Sequence, residues 1–388
     1  MSITLLFDLD DTLLTNPFEQ FQTAYFQALG QALSSRVSPD RMLACLLHAT
    51  RSMIRNTNPT ITLEHAFDAD FYPSIGIPKD ELHPILIKFY EEVFPSLQPI
   101  TSPRKDAIEC VERAFQRGYR VVVATNPLFP VTAIHQRLAW ANLPVIKYPY
   151  HLVTTYENFH FSKPSPEYYA EILAKIGWND EPVVMIGNSY EDDILPAQAI
   201  GITTYHIHHS SEIQKPAGGG SHSLENFYPW LDTHLEQRTL PKPETPTAML
   251  AFLKATPAAI DTLLRNMPDS TWMNAFPGKQ SNLAALVCHL RDREVEINLA
   301  QLKHFSKNKE AVILHGTDRV NPNNIGGQAL AEFYQARLEV IQILHSLPLE
   351  NWNTTTLQAG GGSTSIMEWI ETVIAQDRIF LEEIRSII

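Results

Sequence analysis

The chain has few cysteines and too few basic residues to balance its acidic ones. Its three cysteines in 388 residues lie far apart in segments of helical pattern, which excludes a disulfide framework and indicates a reducing compartment. The net charge of −13 argues against a nucleic-acid partner, because a phosphate backbone needs a basic surface. No apolar run approaches the length of a membrane span, and the first segment lacks an export-signal pattern. We therefore expect a cytoplasmic protein with neither a nucleic-acid nor a membrane partner.

Two carboxylates follow the first apolar run of the chain. Residues 3–7 read as a buried parallel strand, and Asp8 and Asp10 come directly after it. Side chains two residues apart on a strand point to the same face, so these carboxylates are expected side by side where open α/β sheets bind ligands. A divalent cation with a preference for oxygen, Mg²⁺ above all, would relieve their repulsion. The alternative is an acidic strand-to-turn cap.

Three later segments carry groups that suit a phosphoryl ligand. Thr125 and Asn126 end a second apolar run, and Lys163 stands beside a proline at a helix start. A third apolar run ends at Gly187 and is followed by residues 188–193, an amide and an acidic cluster. Each segment alone is also typical of an ordinary strand end or helix start.

Together and in this order, the four segments resemble the haloacid dehalogenase-like (HAD) hydrolase superfamily over roughly residues 1–237. The resemblance implies an α/β Rossmann-like core. It also implies that Asp8 is the nucleophile that forms an aspartyl-phosphate and that Asp10 is the general acid and base. Thr125, Asn126 and Lys163 would hold the phosphoryl group. A carboxylate at Asp10 favours a phosphoric monoester phosphatase over a dehalogenase, because halide displacement needs no leaving-group acid.

The implied Mg²⁺ ligands are Asp8, the main-chain carbonyl of Asp10, and Asp193. Many family members carry Asp where this chain has Asn188. An amide oxygen can still bind Mg²⁺, directly or through water, but with one negative charge fewer. Asp193, or alternatively Glu191 or Asp192, would carry the remaining charge.

A helical insert at about residues 16–102 resembles the family's cap, which closes over the site and selects substrates. Its apolar residues recur at helical spacing, as at Phe18, Phe21, Tyr25 and Leu29. A cap of this kind favours a small phosphorylated metabolite as the substrate and excludes water during transfer.

Residues 238–245 read as a proline-rich linker, and residues 246–388 as four helices. We expect Thr256 and Pro257 to open the first helix and Ser365 to open the last. The sequence around His289 resembles the DinB-like four-helix bundle family, many members of which bind a metal through three histidines. His289 matches the first ligand, but Gln376 and Phe380 occupy the other two positions. We therefore interpret His289 as a core histidine and the bundle as an interaction module that would pair two chains into a homodimer.

The sequence thus predicts a Mg²⁺-dependent, capped phosphatase fused to a degenerate DinB-like bundle. One alternative is a non-catalytic sensor or scaffold that binds a phosphometabolite and uses the bundle for interaction. Another is a bundle with a thiol-transferase or metal activity of its own, which the missing second and third ligands disfavour.

Overall fold

The computed structural model describes residues 3–178, 180–208, 223–234, 240–273, 282–303, 326–354, 356–359 and 362–388. The chain forms two compact units. The first comprises residues 1–172 and 179–241, and the second comprises residues 173–178 and 242–388. Residues 238 and 239 of the expected linker lie outside the described part of the chain.

A parallel sheet of five strands forms the centre of the first unit, as predicted from the buried apolar runs. Its strand order is β5-β4-β1-β6-β7. Phe7 at the end of β1 lies opposite Val123 of β4 and Ile186 of β6, so these three strands end together. The residues that follow them therefore meet at one edge of the sheet. The strands are β1 (Thr4–Phe7), β4 (Arg120–Val123), β5 (Leu152–Val153), β6 (Val183–Gly187) and β7 (Thr203–His206), and the antiparallel ribbon of β2 (Leu14–Thr15) and β3 (Ser102–Pro103) stands apart from the sheet.

A helical insert separates β2 from β3. Its buried residues include Phe21, Tyr25 and Leu29 of the first helix, which recur at the helical spacing seen in the sequence. The exposed Phe18 departs from that stripe, since 64% of its surface is accessible. The insert contains α1 (Phe18–Leu33), α2 (Pro39–Ile54), α3 (Leu63–Ile75), α4 (Lys79–Lys88), a π-helical turn (Phe89–Val93) and a 3₁₀ segment (Phe94–Ile100).

In the described part of the chain, five further α-helices accompany the sheet. The first of them buries Ala107, Cys110, Val111 and Ala114 and exposes its charged face, as expected of a helix that covers one side of a sheet. These helices are α5 (Lys105–Gln116), α6 (Val131–Trp140), α7 (Pro166–Ile176), α8 (Leu195–Gln198) and α9 (Phe227–His234).

The second unit is mainly helical, as expected. Its last long helix begins after Ser365, whose side chain forms a capping box with Glu368. The elements are α10 (Pro246–Leu264), α11 (Asp269–Met273), α12 (Leu283–Asp292) with a π-helical continuation (Arg293–Leu299), α13 (Gly326–Ser346), α14 (Leu349–Thr354), the hairpin β8 (Thr356–Ala359) and β9 (Gly362–Ser365), and α15 (Ile366–Arg385).

Two expectations for α10 were wrong. The helix begins at Pro246 after the N-cap Thr245, and Pro257 lies in its interior. The 19-residue helix is also long and apolar enough to cross a membrane by length and composition alone, although 67% of its most apolar window is buried within the protein. Such burial is typical of the core helix of a bundle.

Candidate active site

Asp8, Lys163 and Asp193 form a buried ion-pair cluster at the carboxyl edge of the sheet. The Lys163 Nζ atom lies 2.7 Å from Asp8 Oδ1 and 2.6 Å from Asp193 Oδ1. Asp8 directly follows β1, Asp193 lies in the π-helical turn Tyr190–Ile194 after β6, and Lys163 lies between β5 and α7. All three are at least 93% buried. The structure therefore brings together three of the residues singled out in the sequence.

Burial and charge act in opposite directions on this cluster. Burial alone would lower the pKa of the Lys163 ammonium, but the carboxylates of Asp193 and Asp8 outweigh it and raise that pKa well above its usual value. Burial raises the pKa of the Asp193 carboxyl, and the nearby Lys163 ammonium opposes this shift. One cation is thus shared between two carboxyl groups in a water-poor site, and the cluster has a formal charge of −1 when both are ionised.

Asp10 has different partners from Asp8. Its Oδ1 atom accepts hydrogen bonds from Asn16 Nδ2, at 2.9 Å, and from Arg137 Nη2 of α6. Arg137 is almost fully buried, and its guanidinium lies 5.5 Å from the ring centres of both Phe21 and Phe129. The Asp10 side chain is more accessible, at 38% of its surface. Asp10 is therefore held at the mouth of the site while Asp8 lies at its floor.

The turn after β1 holds this arrangement. Asp11 has a φ of 55°, a left-handed conformation that aspartate tolerates better than most residues. Its carboxylate accepts the Asn16 backbone N–H at 2.8 Å, and its carbonyl accepts Arg104 Nη1 at 2.7 Å. The buried Thr12 hydroxyl donates to Asn188 Oδ1 at 3.2 Å. Asn188 is thereby tied to the β1 turn.

Thr125 and Asn126 follow β4 at the same edge. The Thr125 carbonyl accepts hydrogen bonds from Thr154 Oγ1 and Tyr168 Oη, both at 2.7 Å, which fixes the turn. Asn126 Oδ1 and Ser162 Oγ are buried and have no hydrogen-bond partner among the described residues. A buried polar atom without a partner is costly, so these two atoms are candidates for contact with a bound polar ligand.

A buried carboxylate in α7 positions the loop that carries Lys163. Glu171 accepts hydrogen bonds from the backbone N–H groups of His160 and Phe161, at 3.1 and 3.2 Å, and lies 2.8 Å from His160 Nδ1. On the opposite side, Asn56 Nδ2 of the helical insert donates to the His160 carbonyl at 2.9 Å. The helical insert and α7 therefore both fix this loop.

Gly187 allows Asp193 to approach β6. A β-carbon at position 187 would overlap the Asp193 carboxylate, so any larger residue would displace that side chain. Asp193 Oδ2 also accepts the Ser189 backbone N–H at 3.0 Å, and the Ser189 hydroxyl caps the following turn at Asp192. The Gly-Asn-Ser segment thus shapes a tight turn that aims Asp193 at Lys163.

The donor set suits a hard cation such as Mg²⁺. Carboxylate and amide oxygens converge at one edge of the sheet, and the cluster of Asp8, Lys163 and Asp193 keeps an excess negative charge. Among the residues that the structure describes, no three His, Cys, Asp or Glu side chains form a metal-binding group. A cation here would rely on two carboxylates with carbonyl or amide oxygens and water.

Arg137 and Glu171 were not identified from the sequence. Both are charged residues in helices, where charge usually marks the solvent-facing side. A signal was available for Arg137, because it lies four residues after Ala133 and four before Ala141 on a buried stripe. A charged residue on such a stripe predicts a buried partner.

The interpretation of His289 as a core histidine was wrong. His289 is exposed, and its ring lies 5.5 Å from that of Phe380. The sequence analysis also missed a buried ionic network in this unit. Arg337 of α13 is paired with Glu294 and Asp377, and all three are at least 95% buried.

Comparisons with known proteins agree with the fold of the first unit. The family model for haloacid dehalogenase-like hydrolases matches residues 4–201, just over half of the chain. The chain is 23% identical to the pyrophosphatase PpaX of Bacillus pumilus (strain SAFR-032) over 201 residues, which cover 52% of this chain and 81% of that protein.

Among solved structures, a HAD phosphatase from Thermococcus onnurineus is 20% identical and matches 59% of this chain and 97% of its own, with a TM-score of 0.40. A 2-haloacid dehalogenase from Pseudomonas syringae pv. Tomato DC3000 is 17% identical and matches 60% of this chain and 99% of its own, with a TM-score of 0.41. The family match, which covers more than half of the chain, leads to one conclusion. The chain belongs to the haloacid dehalogenase-like hydrolases and is a hydrolase.

Proposed function

We propose that the protein is a Mg²⁺-dependent phosphatase that hydrolyses a small phosphate monoester through an aspartyl-phosphate on Asp8. The observation that carries the proposal is the contact of one buried lysine, Lys163, with both Asp8 and Asp193. A phosphoryl group bound here would meet a carboxylate nucleophile and a fixed positive charge in a water-poor site, which phosphoryl transfer requires. The name of the relative PpaX, a pyrophosphatase, also supports phosphoryl chemistry.

In this proposal Asp8 attacks phosphorus while Asp10 protonates the leaving oxygen. Asp10 then removes a proton from the water that cleaves the aspartyl-phosphate. Its hydrogen bonds from Asn16 and Arg137 hold the carboxylate in place for both steps. Thr125, Asn126 and Lys163 bind the phosphoryl oxygens. Ser162, whose buried hydroxyl has no partner among the described residues, joins them as a donor.

Mg²⁺ would be held by Asp8, Asp193 and the main-chain carbonyl of Asp10, with Asn188 as a direct or water-bridged ligand. The cluster holds two carboxylates and one lysine, so its formal charge is negative before a phosphate dianion arrives. Without a further cation, electrostatic repulsion would oppose binding of that dianion. When bound, Mg²⁺ neutralises charge on the phosphoryl oxygens. Asn188 supplies no charge of its own, so its ligation would be weaker than that of an aspartate.

We further propose the domain plan predicted from the sequence. Residues 1–237 would form the hydrolase domain with its cap at about 16–102, residues 238–245 the linker, and residues 246–388 a DinB-like bundle. The bundle would pair two chains into a homodimer, and the enzyme would act in the cytoplasm on a small phosphorylated metabolite.

Asn188 is the observation that favours a second candidate, a sensor that binds a phosphometabolite without turning it over. A site with weak metal affinity could hold a phosphate through Lys163 and still fail to activate it. The two candidates differ in one measurable respect, since only the enzyme releases inorganic phosphate.

The test is Mg²⁺-dependent hydrolysis of 4-nitrophenyl phosphate by the full chain and by Asp8→Asn. The matched control is Asp80→Asn, the same substitution at an exposed position in the first turn of α4. We expect turnover that needs Mg²⁺, is lost in Asp8→Asn, and is kept in Asp80→Asn. Turnover that survives in Asp8→Asn would reject Asp8 as the nucleophile. If no turnover is seen but Mg²⁺ and phosphate bind together, the sensor is favoured.

A further inference from the structure

Within the first unit, a cavity of about 380 Å³ lies between the helical insert and the part that contains the sheet, next to Asp10. This volume is within the range of about 300–1,000 Å³ that is usual for small-molecule sites. Asp10, Asn16 and Arg137 are among the residues that line it, whereas Asp8 and Lys163 are not. If Asp10 protonates the leaving oxygen, as the proposed function holds, the rest of the leaving alcohol must extend into this cavity.

The wall of the cavity is mainly aromatic and aliphatic. Ten of its 27 lining residues are Phe or Tyr, and six more are Leu or Ile. Phe21 and Phe129 stand near Asp10, and Phe67 and Phe71 form a stacked pair with ring centres 4.7 Å apart on the cap side. Such a wall stabilises an apolar ring by removing it from water and by ring-to-ring contact.

The charged groups of the cavity disfavour an anionic leaving group. Arg137 is the one Lys or Arg among the described residues that line it, and it is already paired with Asp10. The other charged lining residues are acidic: Glu157, and Glu64 and Asp68, which share an ion pair with Lys79 outside the lining. A second phosphate or a carboxylate on the leaving group would meet these acids with no uncommitted cation from the described lining.

A pair of tyrosine hydroxyls is among the hydrogen-bonding groups of this wall. The hydroxyls of Tyr25 and Tyr90 lie 2.8 Å apart, and both residues line the cavity. Only one of the two hydroxyl protons can be used in their mutual hydrogen bond, so the other is available to an acceptor in the cavity. A buried, oriented donor of this kind selects for an acceptor atom on an otherwise apolar ligand.

From these observations we propose that the substrate is the phosphate monoester of an uncharged alcohol that carries an apolar ring. The cavity beside Asp10 would bind the ring, and the Tyr25–Tyr90 pair would bind a hydrogen-bond acceptor on those rings that carry one. The inference rests on the proposed phosphatase function, and it excludes pyrophosphate and phosphorylated carboxylic acids as preferred substrates.

The test compares three substrates with Mg²⁺: 2-phenylethyl phosphate, phosphoglycolate and pyrophosphate. The first two are primary alkyl esters, so their kcat/KM values differ mainly through recognition of the group beyond the ester oxygen. We expect kcat/KM for 2-phenylethyl phosphate to exceed that for either anion by at least about ten-fold, the discrimination that a small apolar group commonly gives. An equal or reversed order overturns the proposal.

Phe67→Ala removes one ring from the wall at a half-buried position, and Ile146→Ala, at a residue that is 94% exposed and outside the cavity, is its control. We expect Phe67→Ala to lower kcat/KM for 2-phenylethyl phosphate about ten-fold and to leave that for phosphoglycolate unchanged. The control should change neither value. An equal loss for both substrates in Phe67→Ala would overturn the assignment of the cavity.

The proposed function and this inference fail in different ways. Hydrolysis of 4-nitrophenyl phosphate that depends on Asp8, combined with a preference for phosphoglycolate, rejects only the inference. If no ester is hydrolysed, saturation-transfer NMR with 2-phenylethanol and with glycolate tests the inferred apolar site directly. Binding of 2-phenylethanol alone, weakened in Phe67→Ala, supports the apolar site, and equal or absent binding of the two rejects it.

Discussion

Removing Arg337 should destabilise the helical unit more than any exposed ion pair could. The Arg337 side chain is fully buried and makes paired hydrogen bonds to Glu294, at 2.6 and 2.9 Å, and to Asp377, at 2.6 and 3.0 Å. Its Nη1 atom also donates to the Leu253 carbonyl at 3.2 Å. Arg337→Met keeps most of the volume and removes every one of these contacts.

The expected loss follows from what the substitution leaves behind. Two buried carboxylates would have no cation, and removal of one partner from a buried pair usually costs about 3–5 kcal/mol. We take about 4 kcal/mol as the working value. With a urea dependence of about 2 kcal/mol per molar for a unit of this size, the midpoint of unfolding should fall by about 2 M. Far-UV circular dichroism during urea titration of the full chain measures it, and hydrogen exchange assigns the transition to the bundle helices.

Two further variants make the result specific. Lys303→Met breaks the ion pair between Lys303 and Glu339, whose charged atoms lie 2.7 Å apart and whose side chains are each a little over half buried. This substitution should lower the free energy of unfolding by at most about 1 kcal/mol. Adding Glu294→Gln and Asp377→Asn to Arg337→Met removes the orphaned charges, so at least half of the lost stability should return. A loss below about 1 kcal/mol in the single variant, or no recovery in the triple variant, would refute the reasoning.

Two predictions concern the active site. Gly187→Ala should lower kcat/KM for an aryl phosphate about 100-fold, because the added β-carbon displaces Asp193. Its control is Gly327→Ala, where the added β-carbon meets open space and activity should be unchanged. Glu171→Gln leaves one acceptor oxygen where Glu171 uses two, Oε2 for the backbone N–H groups of His160 and Phe161 and Oε1 beside His160 Nδ1. It should therefore lower the free energy of unfolding by about 1–3 kcal/mol and, by shifting the loop of Lys163, lower kcat/KM as well. Thermal unfolding and initial-rate assays measure these effects. Full activity in Gly187→Ala or unchanged stability in Glu171→Gln would contradict the respective argument.

The strand-end residues could be predicted from the sequence because a parallel sheet brings distant segments to one edge. Apolar runs mark β1, β4 and β6, and the polar residues that end them must meet wherever these strands pair in parallel. Asp8 and Asp193 are 185 residues apart in sequence, yet both contact Lys163. The pattern of strands predicted that the ends of β1 and β6 meet, and the resemblance to the HAD hydrolases added Lys163.

Buried charges on helices could not be predicted in the same way. A helix has a polar face in any case, so a charged residue there is ordinary unless its partner is known. Arg137 pairs with Asp10, 127 residues away, and Arg337 pairs with Glu294 and Asp377, 43 and 40 residues away. Only the packing of the helices decides that these residues lie inside. The clue in the sequence is spacing, since Phe333, Arg337 and Ile341 share one buried stripe.

The error at Pro257 and the missed Arg337 have a common cause. A proline is usually found in the first turn of a helix because it has no N–H to donate, which is why Thr256 and Pro257 looked like a helix start. In the interior of α10, Pro257 cannot donate to the carbonyl four residues before it, which is that of Leu253. Arg337 Nη1 donates to that same carbonyl. A guanidinium from α13 thus supplies the hydrogen bond that the proline removes, and the local rule fails because a partner 84 residues away in the sequence satisfies the exposed backbone group.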